Sequence, residues 1–275
     1  MSGLVVIGFF IWWSLREVKI SRTDLEAALR AVGLPADLPK ACARMAFHKA
    51  LAEVRKTAHK QHLLIRKIVK EKDNYVFGLV DESVDVRAKD LTYYQSATMT
   101  FNPLTGVLAC DHTHRAYELI RAKYAECMDI VDSTDVRTML QDILKAVYRV
   151  SVRDRGGIYF VPAAYQEVVD KLERLLPVLG PDCVLNVAPQ IDFDKTKNAI
   201  YKAFLQDLKR EIAEYKEELS AGGERNATKK WTKRLDEFKA LKQKVEFYST
   251  AMRFQSEDLL KEIGELQTAV VEKLQ

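Results

Sequence analysis

A chain of 275 residues, 48% hydrophobic and 30% charged with only 11 Gly and 7 Pro, is too apolar and too poor in chain breakers to be disordered, collagen-like or low-complexity. Cys42, Cys110, Cys127 and Cys183 are widely spaced with no C-x-x-C, which argues against a disulfide scaffold or a zinc knuckle and fits a reducing cytoplasm. The net charge of +4 hides a concentration, because residues 40–70 hold nine cations against Glu53 alone, and a local field of one sign matters more to a charged partner than the total.

In chain order, Leu4 to Trp13 is an apolar run, too short for a membrane helix of about 20 residues and without the preceding cations and cleavage site of a signal peptide. Its β-branched and aromatic content predicts a buried strand, so no membrane partner is expected. Ser21 or Thr23 then caps a helix that Gly33 stops. In the next helix, Met45, Phe47, Leu51 and Val54 form an inward face, while Arg44, Lys49, Arg55 and Lys56 lie outside it, with Lys60 following. Either this is a solvated basic surface, or it faces phosphates, whose neutralisation by Lys and Arg supplies sequence-independent affinity.

From His62 to Cys110 the pattern alternates. Strands are expected at Leu63–Val69, Tyr75–Val80, Ala97–Phe101 and Val107–Cys110, a small antiparallel meander with turns at Asp73-Asn74 and Asn102 to Gly106. Asp111 is placed to cap a helix carrying Tyr117, Ile120, Tyr124, Cys127 and Val131. A very short turn leads to a second helix, in which Val136, Met139, Leu140, Ile143, Leu144 and Val147 make one apolar stripe. Arg137, Gln141 and Lys145 occupy its other side. Arg149, Arg153 and Arg155 flank the Gly156-Gly157 hairpin that follows.

Helix, turn, helix and hairpin is the second half of a winged helix, with the wing arginines on phosphates and Arg137, Gln141 and Lys145 in the major groove. A competing arrangement makes Ile158–Val161 a core strand in one sheet with Val184–Val187, across a helix at Ala164–Leu179, and with the first strand. The last third is charge-balanced. Leu205, Leu208, Ile212, Tyr215 and Leu219, then Trp231, Leu235, Phe238, Leu241, Val245, Tyr248 and Met252, read as seams of an antiparallel coiled-coil-like hairpin. A final helix from Ser256 either packs on that hairpin or offers its stripe to a partner.

His112 and His114 alone have metal-ligand spacing, and no second motif supplies further ligands; no Walker loop, G-x-G-x-x-G or G-x-S-x-G is present. No metal, cofactor or catalytic residue is therefore nominated.

Trp12-Trp13-Ser14-Leu15-Arg16 running into Ser21–Gly33, together with Gly156-Gly157-Ile158-Tyr159-Phe160-Val161-Pro162, resembles an uncharacterised family of proteins of bacteria, archaea and their viruses. The resemblance covers most of the chain and carries over no activity or site residue. It implies a prokaryotic or viral origin and an accessory role of the kind seen in phage defence.

The expectation is an α+β protein: a small β-sheet, winged-helix-like globular part followed by a long antiparallel helical-hairpin tail. Its segments are 1–110, 111–192 and 193–275. It is expected to be a cytoplasmic, non-enzymatic nucleic-acid-binding or assembly component, with Arg44, Lys49, Arg55, Lys56, Lys60, Arg137, Gln141, Lys145, Arg149, Arg153 and Arg155 on the nucleic acid and the last helices on a protein partner or a second copy. A protein scaffold without nucleic acid, and a metal-assisted hydrolase using His112 and His114, remain as alternatives.

Overall fold

The computed structural model describes residues 5–38, 41–58, 60, 62–70, 74–85, 90–153, 157–220, 227–252 and 256–274. In chain order these form β1 (Val6–Ser14), β2 (Lys19–Ser21), α1 (Arg22–Val32), α2 (Ala43–Ala58), β3 (Leu63–Lys70), β4 (Tyr75–Asp85), β5 (Asp90–Phe101) and β6 (Leu108–Cys110). Then come α3 (Arg115–Asp129), β7 (Ile130–Asp132), α4 (Ser133–Ala146), β8 (Val150–Ser151), β9 (Tyr159–Pro162), α5 (Gln166–Leu179), β10 (Val184–Ile191), α6 (Asp194–Ser220), α7 (Ala227–Met252) and α8 (Glu257–Leu274). They belong to two compact units, one of residues 17–136 and one of residues 1–16 with 137–275.

In the unit of residues 17–136, α1 begins where Ser21 Oγ accepts from Asp24 N and ends at Gly33 in the left-handed region, as the capping pattern predicts. The meander is present as the antiparallel sheet β3-β4-β5-β6. Alternate residues Leu63, Ile65, Tyr75, Phe77, Leu79, Ala97, Met99 and Phe101 turn to one side and meet Phe47, Leu51 and Val54 of α2 and Ile120 of α3. Phe47 stacks on Phe101 at 4.0 Å between ring centroids. At the tight turn after β5, Asn102 Oδ1 accepts from Leu104 N and Thr105 N, and Gly106 takes φ 75°.

Two expected junctions are corrected. Asp111 does not cap α3, because its carboxylate accepts from Thr98 N at 2.7 Å and is held to β5; His114 caps instead, its Nδ1 accepting from Ala116 N. The turn between α3 and α4 is strand β7, whose β-branched Ile130 and Val131 pair antiparallel with β2. Asp132 then caps α4 by accepting from Thr134 N and Asp135 N.

In the other unit, the four-stranded antiparallel sheet has the order β10-β1-β9-β8. β9 is an inner strand, with Phe10 opposite Phe160 and Ile11 opposite Tyr159 on one side and Val150 opposite Phe160 on the other. The winged-helix-like reading is thereby overturned: the described part of the hairpin is a fold element, not a projecting wing. The competing arrangement, with residues 158–161, 184–187 and the first strand in one sheet, is the one observed. Period-two alternation puts Phe10, Phe160 and Val150 on a face that packs into the core of α6, α7 and α8. Gly8 is required there, because a Cβ would stand 2.4 Å from both Phe160 Cζ and Val161 O.

The same core overturns the long helical-hairpin tail and the coiled coil. Ile200, Ala203, Phe204, Leu208 and Ile212 of α6 present a stripe wider than a two-position seam, filled by aromatic residues and shared with the sheet. Tyr248 Oη of α7 donates to Tyr148 O, just before β8, and α8 buries Ile263, Leu266 and Val270 against the same core, lying closest to α7. The last three helices are thus part of an α+β unit, and the apolar stripe of α8 packs on α6 and α7, the first of the two arrangements expected for it.

Candidate functional site

The expected basic residues separate into two groups. On α2, Arg44 and Lys56 are exposed, as is Lys60 beyond its end. Lys49 is engaged within its own unit: its Nζ is 2.7 Å from Asp132 and 3.6 Å from Asp135. Burial by itself lowers the Lys49 ammonium, but the two carboxylates outweigh it and hold it above its ordinary value. Arg55 donates from Nη2 to Ile65 O and lies over the Phe77 ring at 6.0 Å; burial, then the charge of Arg66, pushes it down. Lys49 is thus committed to two carboxylates, whereas Arg55 is exposed and held by one N–H.

The second group converges. Arg137 and Gln141 on α4, Arg153 beyond β8 and Arg210 on α6 surround a cavity of about 570 Å³ together with Trp13 and Tyr159. The cavity opens beside β8, the edge strand, and Ser151 and Glu214 complete its polar wall. Tyr159 is held by neighbours from β1, from α4 and from the residue just before β8. Trp13 stacks on it at 5.2 Å and 13°, Arg149 lies over its ring at 4.5 Å, and Gln141 Nε2 donates to its hydroxyl at 3.4 Å. Arg149 also donates to Ser151 Oγ, so it is a wall of the site and not a free arm; its Nε is buried without a partner. Arg137 and Arg153 are exposed, with no carboxylate within ion-pair distance among the described residues. Arg155 lies outside the described residues.

Arg210 and Glu214 also line an adjoining cavity of about 370 Å³, which takes in Lys145 and Arg149. Its chemistry differs, because several of its charges are paired with one another. Asp207 accepts from Lys244 Nζ, Arg210 Nη2 and the outward-facing Ser151 N, while Lys244 also reaches Glu211 at 3.6 Å. Arg234 binds Glu218 and Glu237 and lies 4.9 Å over Tyr215. Burial, then Glu237 and Glu211, holds the Tyr215 hydroxyl well above its ordinary range. Arg137 and Arg153 on the larger cavity and Lys145 on the adjoining one have no carboxylate within ion-pair distance among the described residues.

Asp207 and Lys244 were not among the expected site residues, nor were Trp13, Tyr159 and Arg210. A signal for two of them was present: Asp207 is three residues after Phe204, and Lys244 is three after Leu241 and four before Tyr248, so each is a charge on an apolar stripe. The pairing of Trp13 with Tyr159 depends on strand order, which no local pattern supplies.

The two histidines are held apart by different carboxylates. His112 Nδ1 is 3.2 Å from Asp111, while the buried His114 points Nε2 at Asp81, 3.5 Å away. Among the described residues no group of three His, Cys, Asp or Glu is placed to hold a metal ion, and no helix is long and apolar enough to cross a membrane.

A family model described as a family of unknown function (DUF6744) matches residues 6–275. No curated protein and no solved structure matches the chain.

Proposed function

The chain belongs to the DUF6744 family, whose function is unknown, and on that premise we propose that it is a cytoplasmic, non-enzymatic component that binds single-stranded nucleic acid through the Arg137–Arg153 cavity. The observation that carries this reading is the convergence of Arg137, Arg153 and Gln141 with Arg210 around one concave space that Trp13 and Tyr159 also line. Guanidinium groups match phosphate oxygens in a fixed fork, and aromatic groups beside a cationic surface are how sequence-tolerant single-strand sites are built. The concavity also argues against a duplex. The donor side of α4 lines a cavity instead of standing proud, so it offers no ridge for a major groove. Arg44, Lys56 and Lys60 would add long-range attraction without a defined seat.

The test is equilibrium binding of a labelled single-stranded oligonucleotide across a salt series, with wild type and with Arg137→Ala/Arg153→Ala. Binding that weakens with salt, and a log–log salt slope flattened by about 1.4 in the double variant, is expected for two lost phosphate contacts at about 0.7 each. Absence of binding at low salt, or a slope unchanged by the double substitution, would sink the proposal.

A further inference from the structure

Independently of the cavity, we propose that the projecting end of β5 is a self-association edge, which pairs antiparallel with the same edge of a second copy of this chain and closes a two-fold dimer. β4 and β5 outrun the rest of their sheet. β3 stops pairing with β4 at Leu63 opposite Asp81, one further bond joins Glu82 N to His62 O, and β6 pairs with β5 at Met99, Thr100 and Phe101. Asp111 closes off Thr98, donating its N–H to Thr98 O and accepting from Thr98 N with its carboxylate. Over residues 90–97, β5 therefore has β4 on one side and no strand among the described residues on the other.

Such an edge presents unpaired N–H and C=O groups, and proteins guard it with charge, with proline or by keeping it short. Residues 91–97 contain no proline and no charged residue, and their β-branched and aromatic members favour strand pairing. Leu91 is 43% exposed, Tyr93 56% and Tyr94 72%, so large side chains stand in water on both faces of the ribbon. One irregularity lies near its base. Leu79 is opposite Ala97 and Val80 opposite Gln95, which leaves Ser96 as an extra residue whose Oγ donates to Asp81. The regular part of the open edge is thus residues 90–95.

The occupant follows from the order of those residues. Antiparallel pairing about a two-fold axis normal to the ribbon keeps each face on its own side and uses both edges at once. With the axis at Tyr93, the two Tyr93 rings meet, Thr92 stands opposite the partner's Tyr94, and Leu91 stands opposite the partner's Gln95. These are favourable cross-strand pairs of aromatic, β-branched and neutral polar groups. Asp90, the one charge on the edge, is carried to opposite ends, about 20 Å from the partner's Asp90 at the rise of a strand, where salt screens the repulsion. The edge is therefore its own complement, whereas a strongly charged peptide finds only Asp90 to recognise.

The experiment is sedimentation velocity of the purified full chain, without nucleic acid, over a concentration series. The dimer should form with a Kd on the order of 10 µM, because two tyrosines and a leucine from each copy bury less than the roughly 1,200 Å² at which standard interfaces begin. Tyr93→Lys/Tyr94→Lys places a charge on each face of the edge and should weaken association at least about tenfold. It should leave thermal unfolding unchanged, since both side chains are exposed in the single copy. Hydrogen exchange locates the contact: amides within residues 90–95 should exchange more slowly at high concentration than at low in the wild type, and equally at both in the double variant.

A chain that stays monomeric across the series overturns the proposal. So does a dimer as tight in the double variant as in the wild type, or one that leaves the amides of residues 90–95 unprotected, because its contact then lies elsewhere. Growth beyond the dimer with rising concentration overturns the two-fold closure.

Discussion

Lys244 Nζ lies 3.3 Å from Asp207 Oδ2 in the interior, with 8% of the lysine and 3% of the aspartate exposed. At that depth each charge depends on the other and on Arg210 and Glu211 around them. Asp207 has a second task, because it accepts the N–H that edge strand β8 turns outward at Ser151. Lys244→Met should therefore cost about 3 kcal/mol in urea unfolding, and Asp207→Asn should cost less, since an amide oxygen can still accept from Ser151. A loss below about 1 kcal/mol for Lys244→Met would mean that the pair is hydrated in solution.

Lys49 offers a contrast between a structural and a ligand-facing cation. Its partners Asp132 and Asp135 hold it at the junction of β7 and α4, so Lys49→Met should lower the melting temperature of the unit containing residues 17–136. The pair is partly exposed, and a loss of up to about 1 kcal/mol is expected, with no change in the affinity for a single strand. Arg137→Ala should behave in the opposite manner. Unfolding followed by circular dichroism, set beside the binding isotherm for each variant, separates the two.

The same contact sets a pH dependence. Burial alone raises the Asp132 carboxyl, but Lys49 and the Asp135 and Thr134 amides overcome it and leave it below its ordinary value of 3.8. The unfolded chain then binds more protons than the folded one as pH falls, so this contribution is present above 3.8 and is lost on acidification through the lowered folded value. Unfolding midpoints measured from neutrality into acid should show a smaller decline for Asp132→Asn than for the wild type. The substitution itself lowers stability at neutral pH.

Gly8 leaves no room for substitution. A methyl group there would overlap Phe160 and the Val161 carbonyl, near the start of β1 and beside the core of the last three helices. Gly8→Ala should cost about 2 kcal/mol or more, since the carbonyl cannot move without breaking the pairing of β1 with β9. Thermal unfolding of the variant measures it; a neutral result would show that the two strands can separate there.

His114 closes the first turn of α3 through Nδ1, although histidine is not among the usual capping residues. His114→Ala should cost about 1 kcal/mol, and His114→Asn should recover part of it, because an Asn side-chain oxygen can accept the same N–H. Urea unfolding of the two variants provides the comparison.

Local elements were legible from sequence because their causes are local. Ser21 and Gly33 mark the ends of α1, and the alternation of Tyr75, Phe77 and Leu79 marks the inner side of β4. The stripe of α4 is likewise buried at Val136, Leu140 and Leu144. What failed is what depends on distant partners. Whether Tyr159 stands on a projecting wing or in a sheet is decided by β1, about one hundred and fifty positions earlier, and its own residues fit both. The seams of α6 and α7 read as a free-standing coiled coil because Phe10, Phe160 and Val150, which share their core, lie elsewhere in the chain. For the site, the donor types at Arg137, Gln141 and Arg153 were visible, but their convergence on one cavity needed the sheet edge.

The position of β1 also imposes an order of events during synthesis. Its sheet partners among the described residues, β9 and β10, lie within residues 159–191, so the strand leaves the ribosome well before they exist to pair with it. Between the two come residues 17–136, one of the compact units, with a sheet and a core of its own that can close first. During that interval Phe9, Phe10, Ile11, Trp12 and Trp13 are an unpaired aromatic strand, the kind of segment that other chains or chaperones capture. Stalling translation between residues 136 and 159 should make this the most aggregation-prone stage in the life of the protein, and delivery of β9 should end it.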